Sequence, residues 1–353
     1  MKLSVPFITI LMATYQAGAN TESPDTARLI ASSIAAEPIE RIAPKFPKRE
    51  AKRGNEGWTQ VSFVVGTDGK PYDVSVINSS GSRYFDRASI DAVKQWQYSP
   101  ASVNGQPIEQ CKTNVQLDYR LSGSGVSKKF YLRLKRALEH LKAGDETLIA
   151  ESIGELEQLG ARKMADTAWL SYVKANYYNL TGDSDKELFY LRRTIPYTHK
   201  NSKNSILPEQ TALYSLQQLF ILQAKKSLYQ DALQTFRKLQ QFESKEALLA
   251  INKLAPYNER IEQAIAGDKI ISVAAHIGSS EQWDHNLSRS RFSISEIQGN
   301  LRKLDVRCAN KRHIYTVNDS TEWIIPASWG QCQLLVNGDK GSQFKLIELP
   351  QQS

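Results

Sequence analysis

From Thr59 to Val76 apolar side chains recur at every second position, and the run is broken once, by Gly66-Thr67-Asp68-Gly69-Lys70. Thr59, Val61, Phe63 and Val65 alternate with Gln60, Ser62 and Val64, the period of a strand with one buried face. Asp68-Gly69 supplies the positive-φ position that a tight hairpin demands, and Tyr72, Val74 and Val76, alternating with Asp73 and Ser75, form the return strand. An isolated hairpin is marginal in water, so the following residues must cover its apolar face.

They have the pattern to do so. Asn78 to Ser82 carries hydroxyls suited to helix capping. Phe85, Ala88, Ala92 and Trp96 then fall on one helical stripe with Val93 beside it, while Arg87, Asp91 and Lys94 point away. Pro100 stops the helix and Asn104-Gly105 turns the chain. Val115, Leu117, Tyr119 and Leu121 alternate with Asn114, Gln116, Asp118 and Arg120 as a third strand. Upstream, Pro38, Pro44 and Pro47 bias the entering chain to extended geometry. Strand, strand, helix, strand is a small α+β domain, expected to have one sheet face covered and the other solvated.

The ordered set Phe46-Pro47, Glu56-Gly57, Asp68-Gly69, Phe85, Trp96-x-Tyr98-x-Pro100 and a last alternating strand resembles the C-terminal domain of the TonB family, over residues 38–122. The resemblance implies a periplasmic domain that captures a short segment of an outer-membrane TonB-dependent transporter, with no cofactor. It implies strand addition to the sheet edge, here Lys112, Thr113, Asn114, Val115, Gln116, Leu117, Asp118, Tyr119 and Arg120. The alternative is that these polar residues are only a solvated face.

At 353 residues the chain exceeds one ordinary domain, so two or three are expected. Lys2, the apolar run Leu3 to Ala13 and Ala17-Gly18-Ala19 have the order of a secretory signal peptide, 1–19, cleaved after Ala19. An uncleaved inner-membrane anchor is the alternative, although the run is short of the ~20 residues a spanning helix needs. A leader follows over 20–37, with Ala27 to Ala36 expected to be helical. Export places the protein in the periplasm of a Gram-negative bacterium, where disulfides form. Cys308 and Cys332 are expected to pair across two strands, closing a loop of about 25 residues worth ~3 kcal/mol. Cys111 then remains as a small buried hydrophobe at the start of a strand.

After Ser122-Gly123-Ser124-Gly125 the period changes to that of helices, over 127–266. Ala175, Tyr178, Gly182 and Leu191, and again Leu216, Phe220, Tyr229, Ala232 and Phe236, resemble degenerate tetratricopeptide repeats, which implies an all-α solenoid. From 267 to 353 short strands with Asn-Gly and Asp-Lys-Gly turns predict a small all-β sandwich.

The 45 Lys and Arg against 37 Asp and Glu are scattered, and no basic stripe accompanies a nucleic-acid module, so no nucleic-acid partner is expected. His140, His199, His276, His285 and His313 have no metal-ligand spacing, and no phosphate loop or nucleophile elbow occurs. His285 beside Asp284 is expected to be an exposed loop residue. No enzyme activity, metal or small-molecule substrate is expected. Two functions stand: docking in or alongside TonB-dependent transport, or a periplasmic scaffold for envelope proteins without energy transduction. With cleavage after Ala19 no anchor would remain, and the protein would bind without pulling.

Overall fold

The computed structural model describes residues 33–121, 125–197, 206–317 and 321–350. The signal-like segment and most of the leader lie outside these residues. The first part of the chain contains β1 (Ser33–Ile34), β2 (Glu37–Glu40), α1 (Lys48–Arg53), β3 (Gly57–Val65), β4 (Pro71–Ser79), α2 (Arg83–Val93), β5 (Gln97–Ser99), β6 (Ala101–Val103), β7 (Gln106–Ile108) and β8 (Gln110–Tyr119). Its main sheet is antiparallel in the order β4-β3-β8. Ser33 and Ile34 lie on a strand paired with Ser102 and Val103, so the end of the segment expected to be helical is extended. Strand pairing across the domain outweighs local Ala and Ser propensity there. Asn104 and Gly105, both at positive φ, close the hairpin from β6 to β7.

The helix covers one face of the sheet, as the stripe predicts. Val61, Phe63, Val65 and Leu117 meet Val93, Trp96 and Tyr98 in one apolar cluster. The solvated second face is a correction. Trp58, Ser62 and Val64 are all 0% exposed, because the rest of the chain packs under them. Trp58 enters a cluster with Met164, Ala168, Tyr197 and Leu207, and its indole Nε1 donates to the Tyr197 hydroxyl at 2.5 Å. Polar Gln60 and Ser62 give this face its solvent-like pattern, yet long-range packing buries it along β3, while Asn114 and Asp118 on β8 remain exposed.

The helical part contains α3 (Lys128–Ala143), α4 (Glu146–Leu159), α5 (Met164–Leu180), α6 (Ser184–Thr194), α7 (Glu209–Lys225), α8 (Tyr229–Leu239) and α9 (Lys245–Ala266). The pairs α3 with α4, α5 with α6, and α7 with α8 pack on each other across short turns. Asp145 and Asp183 cap α4 and α6, accepting from Leu148 N at 3.0 Å and Lys186 N at 3.1 Å. The two stretches with repeat-like spacing fall on the α5–α6 and α7–α8 pairs.

The last part is all β: β9 (Ile271–His276), β10 (Gln282–Asn286), β11 (Arg291–Gln298), β12 (Leu301–Cys308), β13 (Arg312–Tyr315), β14 (Glu322–Ile324), β15 (Cys332–Gly338) and β16 (Gln343–Leu349). Two four-stranded sheets, β10-β15-β12-β13 and β14-β11-β16-β9, share one core that includes Val273, Phe292, Leu304, Val306, Leu334 and Leu346. Cys308 and Cys332, directly paired in register, form a disulfide.

His285 is not an exposed loop residue. It lies on β10, 1% exposed, with Nε2 at 2.8 Å from Glu348 Oε1. The other oxygen of Glu348 accepts the backbone amides of Ser288 and Arg289 at 2.8 and 2.7 Å. The Arg289 guanidinium in turn donates to the carbonyls of Ala264, Ile265, Gly267 and Lys269. One arginine thereby satisfies orphan carbonyls at the C-terminal end of α9 and ties helix to sheet.

Because Trp58 links the first sheet to the helices, Trp58→Ala should lower the free energy of unfolding by ~3–5 kcal/mol. Urea denaturation followed by circular dichroism measures this, with Ile39→Ala, at an exposed site, changing stability by less than ~0.5 kcal/mol.

Candidate functional site

The motif residues of the first part converge on a frame that holds β8 at the sheet edge. Gly69 has φ 76°, and a Cβ built there would lie 2.0 Å from the Tyr98 carbonyl oxygen. Its own carbonyl accepts Tyr98 N at 2.9 Å, so the Asp68-Gly69 turn and the Trp96-x-Tyr98 stretch lock together. Gly57 is required for a different reason: a Cβ would meet the Ser80 hydroxyl at 2.3 Å and the Phe85 ring at 2.8 Å. Phe46, following the extended entry, packs edge-on to Phe85 and Tyr119 at centroid distances of 5.5 and 5.7 Å. Trp96 Nε1 donates to the Ile42 carbonyl at 2.8 Å, and Pro100 follows β5.

Pairing of β3 with β8 runs from Gly57 opposite Tyr119 to Phe63 opposite Thr113, and on past a bulge to Val65 opposite Gln110. Side chains therefore sort by alternation. Val115, Leu117 and Tyr119 face α2. Tyr119 stacks on Phe85 at 4.4 Å, and its hydroxyl bonds Ser89 Oγ at 2.8 Å and donates to the Phe85 carbonyl at 3.1 Å. Asn114, Gln116 and Asp118 take the other face. There Gln60 donates to Gln116 at 3.1 Å, Gln116 to Asp118 at 2.8 Å, and Arg120 to Asp118 at 3.0 Å. Asn114, Asp118 and Arg120 are exposed.

The two ends of this edge differ. At the start of β8, Cys111 is buried and its amide donates to the Ala309 carbonyl at 3.3 Å. Burial, with help from the Glu109 charge, pushes its thiol up to about 12. Next to it, burial lowers the Lys112 ammonium below its ordinary value against the pull of Asp231. The Cys111 amide is thus held by the turn after β12, whereas the side chains of Asn114, Asp118 and Arg120 lie in solvent.

A charge network ties the last part of the chain to β4. Asp305 on β12, 1% exposed, accepts from Arg307 at 3.0 Å and from Arg312 at 2.7 Å. Arg312 also pairs with Asp73 and Arg307 reaches Ser75 Oγ at 3.4 Å, both on β4. Burial alone would raise the Asp305 carboxyl; the two guanidinium groups override it and hold it below the ordinary carboxylate value. These long-range partners have no sequence signal, and β8 reads from sequence as edge along its whole length. Among the described residues no group of three metal-ligating side chains gathers, and no helix is long and apolar enough to cross a membrane.

Residues 42–121 match the family model described as the Gram-negative bacterial TonB protein C-terminal. Among curated proteins, Protein TonB of Vibrio cholerae is 26% identical over 83 residues, covering 24% of this chain and 34% of its own length. Protein tonB2 of Pseudomonas aeruginosa is 34% identical over 80 residues, 23% of this chain and 29% of its own. The chain thus spans about a third of these relatives. The solution NMR structure of the Pseudomonas aeruginosa TonB CTD aligns at 27% identity over 25% of this chain and 88% of that one, with a TM-score of 0.22. The family-model match, residues 42–121, falls on the stretch that carries the motif residues above.

The Asp305 network gives a pH-dependent outcome. A carboxyl depressed in the folded state contributes stability that is complete above its unfolded value of ~3.9 and is lost as pH falls through the folded value. Asp305→Asn should therefore destabilise the protein at pH 7 by on the order of 3 kcal/mol. The gap to the unaltered chain should close as denaturation curves are taken below pH 4.

Proposed function

We propose that the chain is a periplasmic protein that takes a partner peptide by strand addition along β8, in or alongside TonB-dependent transport across the outer membrane. The single observation that carries this reading is an antiparallel sheet edge on which Asn114, Asp118 and Arg120 are exposed, within a region matched to the TonB C-terminal family. Its unpaired backbone groups supply affinity, and alternate side chains supply selectivity. The partner is an outer-membrane TonB-dependent transporter or another envelope protein. The proposed site is Lys112, Thr113, Asn114, Val115, Gln116, Leu117, Asp118, Tyr119 and Arg120, with the solvated part making the first contact. The proposed domains are 38–122, a tetratricopeptide-like solenoid over 127–266 and a β-sandwich over 267–353, after a signal peptide over 1–19.

A second reading, a scaffold that binds envelope proteins through its helices, draws support from exposed apolar side chains on α3 to α9. Leu132, Phe189 and Leu249 are 67%, 48% and 62% exposed. The two readings differ in where a ligand leaves its mark. Peptides from transporter N-termini should slow amide hydrogen exchange in residues 113–120 of the full chain. Protection confined to α5–α7, with β8 unchanged, would sink the strand-addition reading and leave the scaffold.

A further inference from the structure

The first part of the chain carries a concentrated positive surface that strand addition does not use. In α1 the sequence Lys-Arg-Glu-Ala-Lys-Arg turns its one acid inward. Glu50 is 5% exposed and accepts from Ser82 Oγ at 3.1 Å and Asn55 Nδ2 at 2.6 Å. Lys48, Arg49, Lys52 and Arg53 are all exposed, as are Lys45 just before the helix and Arg83 at the start of α2. Arg49 and Arg83 both stack on the Tyr84 ring, at 4.8 and 5.1 Å. Outward on α2 and just past it, Arg87 and Lys94 continue the patch, with Asp91 between them. Across residues 33–53 and α2 with Lys94, nine exposed cations stand against three exposed acids, Glu37, Glu40 and Asp91. The ion pairs among the described residues engage none of these cations.

The position of this patch matters as much as its charge. α2 covers one face of the β4-β3-β8 sheet, while Trp58 carries the helical part on the other. The patch therefore looks away from much of the rest of the chain. The same segment exposes Ile34, Ile39 and Ile42 at 57%, 68% and 42%. Exposed apolar side chains in the same stretch of chain as exposed cations suit an interface of acyl chains and anionic headgroups. The neighbouring concavity has the wrong sign for an acidic peptide. It is a groove of about 340 Å³ lined by Glu50 and Glu56 with Arg83 as its one cation, so carboxylates outnumber cations there. Nucleic acid has no use for the three isoleucines.

We propose that this face, centred on Lys48, Arg49, Lys52 and Arg53, docks the protein on an anionic phospholipid surface. Cations near such a surface add attraction that falls off within a Debye length, so docking is salt-sensitive. A protein lying on this face holds the opposite face of the sheet, with the helices, away from the lipid.

The test is co-sedimentation of the purified full chain with vesicles of phosphatidylglycerol and phosphatidylethanolamine, against vesicles of phosphatidylcholine, at low and high salt. The difference between the two lipids is the readout, since the apolar run Leu3 to Ala13 contributes to both. The unaltered chain should bind the anionic vesicles at least ~10-fold more tightly at low salt, a preference that high salt erases. The variant Lys48→Glu, Arg49→Glu, Lys52→Glu should lose that preference by ~10-fold or more while keeping its far-UV circular dichroism, because all three side chains are exposed. A second charge-reversal variant at Lys128, Lys135 and Lys142 on α3 should keep the preference. Equal binding to both lipids, binding to neither, retention by the α1 variant, loss by the α3 variant, or capture by polyglutamate in place of vesicles would each overturn the proposal.

Discussion

Burial of β3 on both faces is the constraint on which the rest of the structure depends. One face gives Val61, Phe63 and Val65 to the cluster under α2, and the other gives Trp58, Ser62 and Val64 to the contacts with the rest of the chain. A strand buried on both faces joins the layers it separates. The sheet cannot swing away from the helices without wetting Trp58 and breaking its bond to Tyr197, a cost of several kcal/mol in apolar area alone. Among the described residues Ser62 Oγ has no hydrogen-bond partner, which costs about 1–3 kcal/mol and is tolerated because apolar burial around it is larger.

That constraint also explains what was legible in the sequence. The hairpin, the stripe from Phe85 to Trp96 and the stop at Pro100 rest on contacts within about sixty residues, and their periods appear directly in the chain. The second face depends on Tyr197 and Leu207, more than a hundred residues away, and no local pattern announces it. Short pieces such as β1 and β14 have too few residues to develop a period. His285 sits between polar Asp284 and Asn286, a composition that loops share, although it lies on β10. Asn286 is held across to other elements: it donates to Asp231 at 2.7 Å, and Asp231 accepts from Arg192 at 2.7 Å. The polarity belongs to an interface with α6 and α8.

The candidate site divides in the same way. Its place as a sheet edge was legible only through the TonB resemblance, and the order β4-β3-β8 leaves β8 at the edge. Its closed end was not, since Ala309 and Asp231 reach Cys111 and Lys112 only through the fold. Asp118 and Arg120 on the open part also fit a general means of protecting edges, in which charged side chains discourage unspecific strand pairing. A charge pair of opposite sign can be opened by a partner that supplies matching charges, so the same residues that reject a random strand can select a complementary one.

An edge closed at one end has a geometric consequence for strand addition. From Thr113 to Arg120, at ~3.3 Å per residue, the open length is roughly 25 Å, which limits a paired segment to about seven or eight residues. Such a segment loses backbone freedom on pairing, ~1–2 kcal/mol per residue, and a short edge cannot offset this with many ladder bonds. The receptor side must therefore contribute little disorder of its own. Packing of β3 on both faces, the ring stack of Tyr119 on Phe85 and the Gln60, Gln116 and Asp118 hydrogen bonds hold β8 before any partner arrives. The rigidity that double burial imposes on the sheet is thus the property that would let a short edge bind at all.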